Sequence, residues 1–160
     1  MFEITLICMG KLKEKFYISA AEEYQKRLKG YCKFNIVELP EFRLPDVPSP
    51  AEIAAALEKE AALINEKIPK GSWFCVLTPE GTLLSSNALA EKMAAVKNSG
   101  KSSCCFLIGS SFGISDTIKK KADFKLSMSP MTFPHHLARV MVLEQIYRSE
   151  SIQAGSKYHK

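Results

Sequence analysis

The chain lacks the features that would place it in a membrane, in a disulfide scaffold or among the common nucleotide-binding motifs. No apolar run approaches the roughly 18–20 residues that a spanning helix needs. The opening Met1-Phe2-Glu3-Ile4-Thr5-Leu6-Ile7-Cys8 has no basic segment ahead of its apolar stretch and no small-residue cleavage site, so it reads as part of the fold and not as a signal peptide. The five cysteines (Cys8, Cys32, Cys75, Cys104, Cys105) are odd in number and form no Cys-x-x-Cys pair, which argues for reduced, buried thiols in a cytosolic protein. Internal repeats, low-complexity tracts and linkers are missing too, so the reading is one domain over residues 1–160.

What is present is ordinary globular composition. The chain has 160 residues, 46% hydrophobic and 24% charged, enough to bury a core without staples. Lys and Arg number 22 against 17 Asp and Glu, a formal charge of +5. That mild excess permits an anionic partner such as RNA without demonstrating one.

Apolar strand-like runs alternate with helical periodicity. Ile4–Cys8 reads as a buried strand stopped at Gly10, and Lys13–Lys29 as a helix with Phe16, Ala20, Tyr24 and Leu28 on its apolar face. Tyr31–Leu39 alternates and suits a sheet edge. The segment from Pro40 to Pro50 holds four prolines and reads as a loop. It ends in a helix start: Ser49 as N-cap, Pro50 in the first turn and Glu52 three residues after the cap, with the helix running to about Lys67. Trp73–Thr78 and Cys104–Ile108 are apolar throughout, as central strands are. Helices are expected over Ser85–Asn98, Ser115–Lys121 and Pro134 to about Ser151, with a last strand over Ala122–Leu126. This order predicts an α/β domain: a mostly parallel sheet with helices on both faces.

In such sheets ligands bind beyond the carboxyl ends of the strands. Three loops leave those ends: Thr78-Pro79-Glu80-Gly81, Gly109-Ser110-Ser111-Phe112-Gly113 and the segment Ser127 to Pro134. The second lacks Gly-x-Gly-x-x-Gly and any Lys-Ser/Thr ending, so neither a dinucleotide site nor a P-loop is supported; it is either a tight turn or a ligand contact. The third mixes Met128, Met131 and Phe133 with Ser129, Pro130 and Thr132. It either packs beneath a neighbour or lines a pocket for a flat, partly apolar ligand such as an adenine ring.

The last helix carries Val140-Met141-Val142-Leu143, apolar around most of its circumference, so it belongs in a core or a subunit interface. Arg139, Glu144, Gln145 and Arg148 in that setting must be paired or functional. His135 and His136 are adjacent and cannot share a helix face, which argues against a metal. Lys119-Lys120-Lys121 reads as a solvated face. The tail Lys157-Tyr158-His159-Lys160 is either a frayed terminus or a nucleic-acid contact.

Taken together, Leu126 to His135, Arg139, Glu144 to Arg148 and Tyr158-His159-Lys160 resemble the C-terminal signature of the ribosomal RNA large subunit methyltransferase H family. Gly10 to Lys13, Tyr24 to Leu28 and Phe106 to Gly109 are similar as well, so the resemblance spans the chain. It implies a SPOUT-class fold with a C-terminal trefoil knot, and a cytoplasmic, metal-independent homodimer. The implied reaction uses S-adenosyl-L-methionine to methylate N3 of a pseudouridine in the 23S rRNA of the assembled ribosome. Leu77, Gly109 and Met128, Ser129, Pro130, Met131, Thr132 and Phe133 then match cofactor-binding positions. Arg148, Tyr158 and His159 match positions of substrate handling or catalysis, with His159 as a candidate base. Two departures stand out: Ser110 where a second glycine is usual, and Thr82 where a lysine is common. The rival readings are a non-enzymatic RNA- or nucleotide-binding module and a hydrolase using Cys105.

Overall fold

A computed structural model describes residues 1–159. Five strands form one all-parallel sheet in the order β2-β1-β4-β3-β5. The strands are β1 (Glu3–Met9), β2 (Lys33–Leu39), β3 (Trp73–Leu83), β4 (Ser103–Ile108) and β5 (Phe124–Ser127). The helices are α1 (Lys15–Leu28), α2 (Pro50–Lys67), α3 (Ser86–Asn98), α4 (Asp116–Lys121) and α5 (His135–Gln153).

The strict alternation of side chains along each strand sorts the core into two halves. Ile4, Leu6 and Cys8 of β1, with Cys104, Phe106 and Ile108 of β4, face α1, α3 and α5. Ile7 and Met9, with Cys105 and Leu107, face α2 and α4. Helices therefore cover both faces, as the apolar runs of the inner strands demanded. The alternating β2 lies at an edge. Helix α2 starts with the expected capping box: Glu52 N–H donates to Ser49 Oγ at 3.1 Å, and Ser49 N–H donates to Glu52 Oε1 at 3.1 Å. All five cysteines are buried and free. Burial pushes the thiols of Cys8, Cys32 and Cys105 up to about 12. Cys105 is fully buried in the sheet, out of reach of a substrate, which counts against a hydrolase using it.

Three sequence expectations are corrected. Phe16 is 67% exposed; of the expected face Leu28 is buried and Tyr24 partly so, and Ala21 is the other buried residue of α1. A fixed spacing of four drifts by about 40° per step on a helix of 3.6 residues per turn, so Phe16 ends about 120° away from Leu28. The segment Thr78-Pro79-Glu80-Gly81 is not a plain loop. Strand β3 runs through it to Leu83, shifts register between Leu77 and Thr82, and pairs again with Leu126 and Ser127 of β5. Gly81 permits this: a Cβ there would lie 2.7 Å from the Leu126 carbonyl carbon. The last strand is displaced from Ala122–Leu126 to Phe124–Ser127.

Helix α5 has no fully exposed residue. Two ion pairs hold its ends. Arg139, 2% exposed, donates to Glu38 Oε2 of β2 at 2.7 Å and to the Gly10 carbonyl beyond β1 at 2.9 Å. Lys97 of α3 donates to both oxygens of the buried Glu150 at 2.7 and 2.8 Å. The charges foreseen on α5 are thus all paired, since Glu144 and Arg148 bond each other and Gln145 accepts from Ser86 at 2.7 Å. Arg139→Ala strands the Gly10 carbonyl and one side of Glu38. It is expected to cost about 3 kcal/mol in urea unfolding, while Glu38→Gln, at a partly exposed partner, costs less.

Candidate functional site

The sheet order makes β4, β3 and β5 neighbours, so their carboxyl ends lie side by side. Those ends open into one cleft of about 780 Å³. Leu77, Gly109 and the whole segment from Met128 to Phe133 line it, so every position expected to hold a cofactor sits in its wall.

The middle wall is a backbone cradle. Gly109 has no room for a side chain: a Cβ would stand 2.6 Å from the Gly113 carbonyl oxygen and 2.6 Å from Ile114 Cγ1. Gly113, at φ +95°, turns the chain back, and its N–H donates to the Ser110 carbonyl at 2.9 Å. Ser115 then caps α4 by accepting from Ile118 N–H at 3.3 Å. The β5 side is held by its own serines, with Ser127 Oγ donating to the Ser129 carbonyl at 3.3 Å and Met131 N–H donating to Ser129 Oγ at 2.9 Å. Met128 packs against the core, whereas Met131 is 75% exposed at the rim. The apolar residues of this loop therefore divide between packing and cleft, and both readings of it hold in part. On the third side, Glu80 meets Lys119 at 2.6 Å, and that ammonium holds the Glu80 carboxyl down to about 2.

Two features mark the cleft as built for a ligand with polar groups. Thr78 Oγ1 is buried in its wall, beside the Glu80 carboxylate whose pKa it helps to lower. The first turn of α5 opens beside it with no side-chain cap on Pro134, leaving backbone N–H groups free for an anionic group. His135 adds a ring, stacked at 4.4 Å on His136; burial lowers its pKa against the opposing charge of Glu41.

Arg148, Tyr158 and His159 come together, but elsewhere. None of them lines the cleft; Arg148 lies 13 residues along α5 from His135, about 20 Å of helix rise. Their organiser is Glu144. It accepts from Arg148 Nε at 2.9 Å and also from Nη2, and from Tyr158 Oη at 3.2 Å. The Arg148 guanidinium lies 4.8 Å above the Tyr158 ring, and Tyr158 packs on Tyr147 at 4.7 Å. Arg148 Nη1 sits 3.1 Å from His159 Nδ1. Burial, the Tyr24 hydroxyl and the Glu144 charge push the Tyr158 phenol up to about 12, so it stays protonated and can donate. The tail is therefore anchored as far as His159, not frayed; Ser156 N–H donates to the Ser151 carbonyl at 2.9 Å. Lys160 lies outside the described residues.

From its residue type Glu144 was legible only as a charge needing a partner; Arg148, one turn on, was the signal for that pairing, and nothing pointed to Tyr158. Thr78 was inside a named loop but carried no mark of its own. The expected face of Lys119–Lys121 is only partly solvated, since Lys119 turns to Glu80 and Lys121 to Asn65.

The comparisons with known proteins fit this geometry. The family profile described as "Predicted SPOUT methyltransferase" matches residues 2–159, which places the chain in that class. Proteins named ribosomal RNA large subunit methyltransferase H are similar over its full length. The one from Moorella thermoacetica is 40% identical over 160 residues, covering 100% of both chains, and the one from Clostridium novyi is 45% identical over 157 residues, covering 98% of this chain and 99% of its own. The chain belongs to the ribosomal RNA large subunit methyltransferase H family. Among solved structures, a methylase family protein from Haemophilus influenzae Rd KW20 shares the fold. Its TM-score is 0.58 at 16% identity, over 98% of this chain and 70% of that one.

Gly109→Ala tests the cradle. The added methyl meets backbone and a buried isoleucine, so the urea midpoint should fall by an amount equivalent to about 2 kcal/mol.

Proposed function

We propose that this protein uses S-adenosylmethionine to methylate N3 of a pseudouridine in 23S rRNA within the assembled ribosome. It works as a cytoplasmic homodimer whose C-terminal segment is tied in a trefoil knot. The observation that carries the reading is the convergence of three neighbouring strand ends on one cleft lined by Leu77, Gly109 and Met128 to Phe133. The buried Thr78 hydroxyl, the side-chain-free Gly109 and the apolar Met128 and Phe133 suit a ligand that is part nucleoside and part zwitterion. S-adenosylmethionine, when bound, supplies an electrophilic methyl on a sulfonium.

The chain's own residues do the rest by orientation and electrostatics. Imide N3–H is a weak acid and must lose its proton before or as nitrogen attacks. Arg148 has only donors, so its contact makes His159 Nδ1 an acceptor and puts the proton of a neutral ring on Nε2. In that tautomer His159 donates, toward a pyrimidine carbonyl whose charge grows as N3–H ionises. To serve as the base, it must first part from Arg148. Arg148 offsets the same negative charge or grips phosphate, and Tyr158 stacks on the base or donates.

The separation of this cluster from the cleft supports a dimer in which one subunit's tail reaches the other's cleft. A surface for it exists: Val140 and Met141 border a second cavity of about 540 Å³ between α1, α3 and α5, next to Glu144. The return of the chain from β5 across the ends of β3 and β4 to Gly10 and Glu38 supports a knotted path.

The test is tritiated methyl transfer from S-adenosylmethionine to ribosomes lacking the modification, compared with naked rRNA and separate subunits. His159→Ala should lower turnover on ribosomes about 10²-fold or more with cofactor binding intact by calorimetry. Near-normal turnover in that variant rules its role out, and no binding heat at millimolar S-adenosylmethionine in the parent favours a simple RNA-binding module. Sedimentation should show a dimer; a fully active monomer would contradict the shared site.

A further inference from the structure

Ser110 follows Gly109 directly in the cleft wall, yet its side chain turns away from the cleft. Its Oγ donates to Glu60 Oε1 at 2.8 Å, across 50 residues of sequence. Glu60 comes from α2, on the face of the sheet opposite α5. It is only 4% exposed, and no Lys or Arg pairs with it among the described residues. A lone buried carboxylate is costly and persists where donors satisfy it. Here the donors are Ser110 and the Phe42 amide of the proline-rich loop, while burial and the nearby Glu41 push the carboxyl pKa up. Glu60 and Ser110 also border a small cavity of about 190 Å³ with Arg43 of that loop.

The same helix grips the far flank of the cradle. Glu58, two residues before Glu60, accepts from Thr117 Oγ1 at 3.2 Å, and Thr117 bonds Ser115 at 2.9 Å. Between these holds, the Gly113 N–H bond to the Ser110 carbonyl closes the turn. The loop is therefore not self-supporting: its first residue after Gly109 is pinned by one carboxylate that does not itself reach the cleft.

We infer that Glu60 is a positioning residue for the methyl-donor site, setting the Gly109–Gly113 wall through the Ser110 hydroxyl. This rests on the reading of the cleft as the S-adenosylmethionine site.

The test uses the full-length protein and the variants Ser110→Ala, Ser110→Thr, Glu60→Gln, Glu60→Leu and the double Ser110→Ala/Glu60→Leu. Calorimetry with S-adenosylmethionine should show Kd rising about tenfold in Ser110→Ala and in Glu60→Leu, as expected for loss of a charge-assisted hydrogen bond. The double variant should be no weaker than either single one. Ser110→Thr and Glu60→Gln, which keep donor and acceptor, should stay within about threefold of the parent. In methyl transfer to ribosomes, KM for S-adenosylmethionine should rise while kcat at saturation holds. Hydrogen exchange of the 109–113 amides, measured without ligand, should quicken in Ser110→Ala and not in Ser110→Thr. Parent-like Kd and exchange in Ser110→Ala, or effects that simply add in the double variant, overturn the inference. If Glu60→Leu fails to fold, the Ser110→Ala and Ser110→Thr pair decides alone. A parent that binds no S-adenosylmethionine sinks the proposed function, and the exchange measurement still decides whether Ser110 is held by Glu60.

Discussion

The buried guanidinium of Arg139 is the constraint on which the functional end of the molecule depends. The chain leaves β5 at one edge of the sheet and must return to the opposite edge to begin α5. Arg139 fixes where it arrives, bonded to Glu38 on the edge strand and to the Gly10 carbonyl beyond its neighbour. The segment Met128–Phe133 is stretched between that anchor and β5, so the cleft's third wall has its length and course set from both ends. The Lys97–Glu150 pair does the same for the far end of α5. Between the two anchors the helix is a rigid strut about 28 Å long, by its 19 residues.

That strut separates two chemistries. At its start lie the strand ends, with backbone amides, a glycine with no room for a side chain and a buried hydroxyl. At its end lie Arg148, Tyr158 and His159, gathered on Glu144. A rigid helix cannot fold back to join them, so the strand-end cleft and the Glu144-centred cluster of one chain do not meet. On the proposed function, a second subunit would be needed to bring one chain's tail to the other's cleft.

Much of this was legible in the sequence, for reasons that can be stated residue by residue. The continuous apolar runs Trp73–Leu77 and Cys104–Ile108 announced inner parallel strands, and Ser49-Pro50 with Glu52 announced a helix start. The strand-end loops followed from the alternation alone. What failed were features that depend on a partner distant in sequence. Pro79 and Gly81 carry turn chemistry, but β5 recaptures the chain at Thr82 and keeps it a strand. Phe16 matched a spacing of four that the true helical period does not sustain. Glu60 was unreadable: within an alanine-rich helix it resembles any solvated glutamate, and only the third dimension supplies Ser110. The gathering of the tail on Glu144 is of the same kind, since hydrogen bonds that span 14 residues leave no periodic trace.

The sheet order has a consequence for how the protein is made. No two neighbouring strands are joined by a local hairpin, and the β4–β1 contact spans most of the chain, so ordering requires long loops to close first. The edge strand β5, the loop after it and α5 all follow the other four strands in the chain. During translation the first four strands can associate before the residues after β4 emerge, with the β1 and β4 face covered by α1 and α3 but not yet by α5. The cleft, which needs Met128 to Phe133, therefore forms only once those residues have emerged, and loss of α5 would uncover part of the apolar face, a form disposed to aggregate.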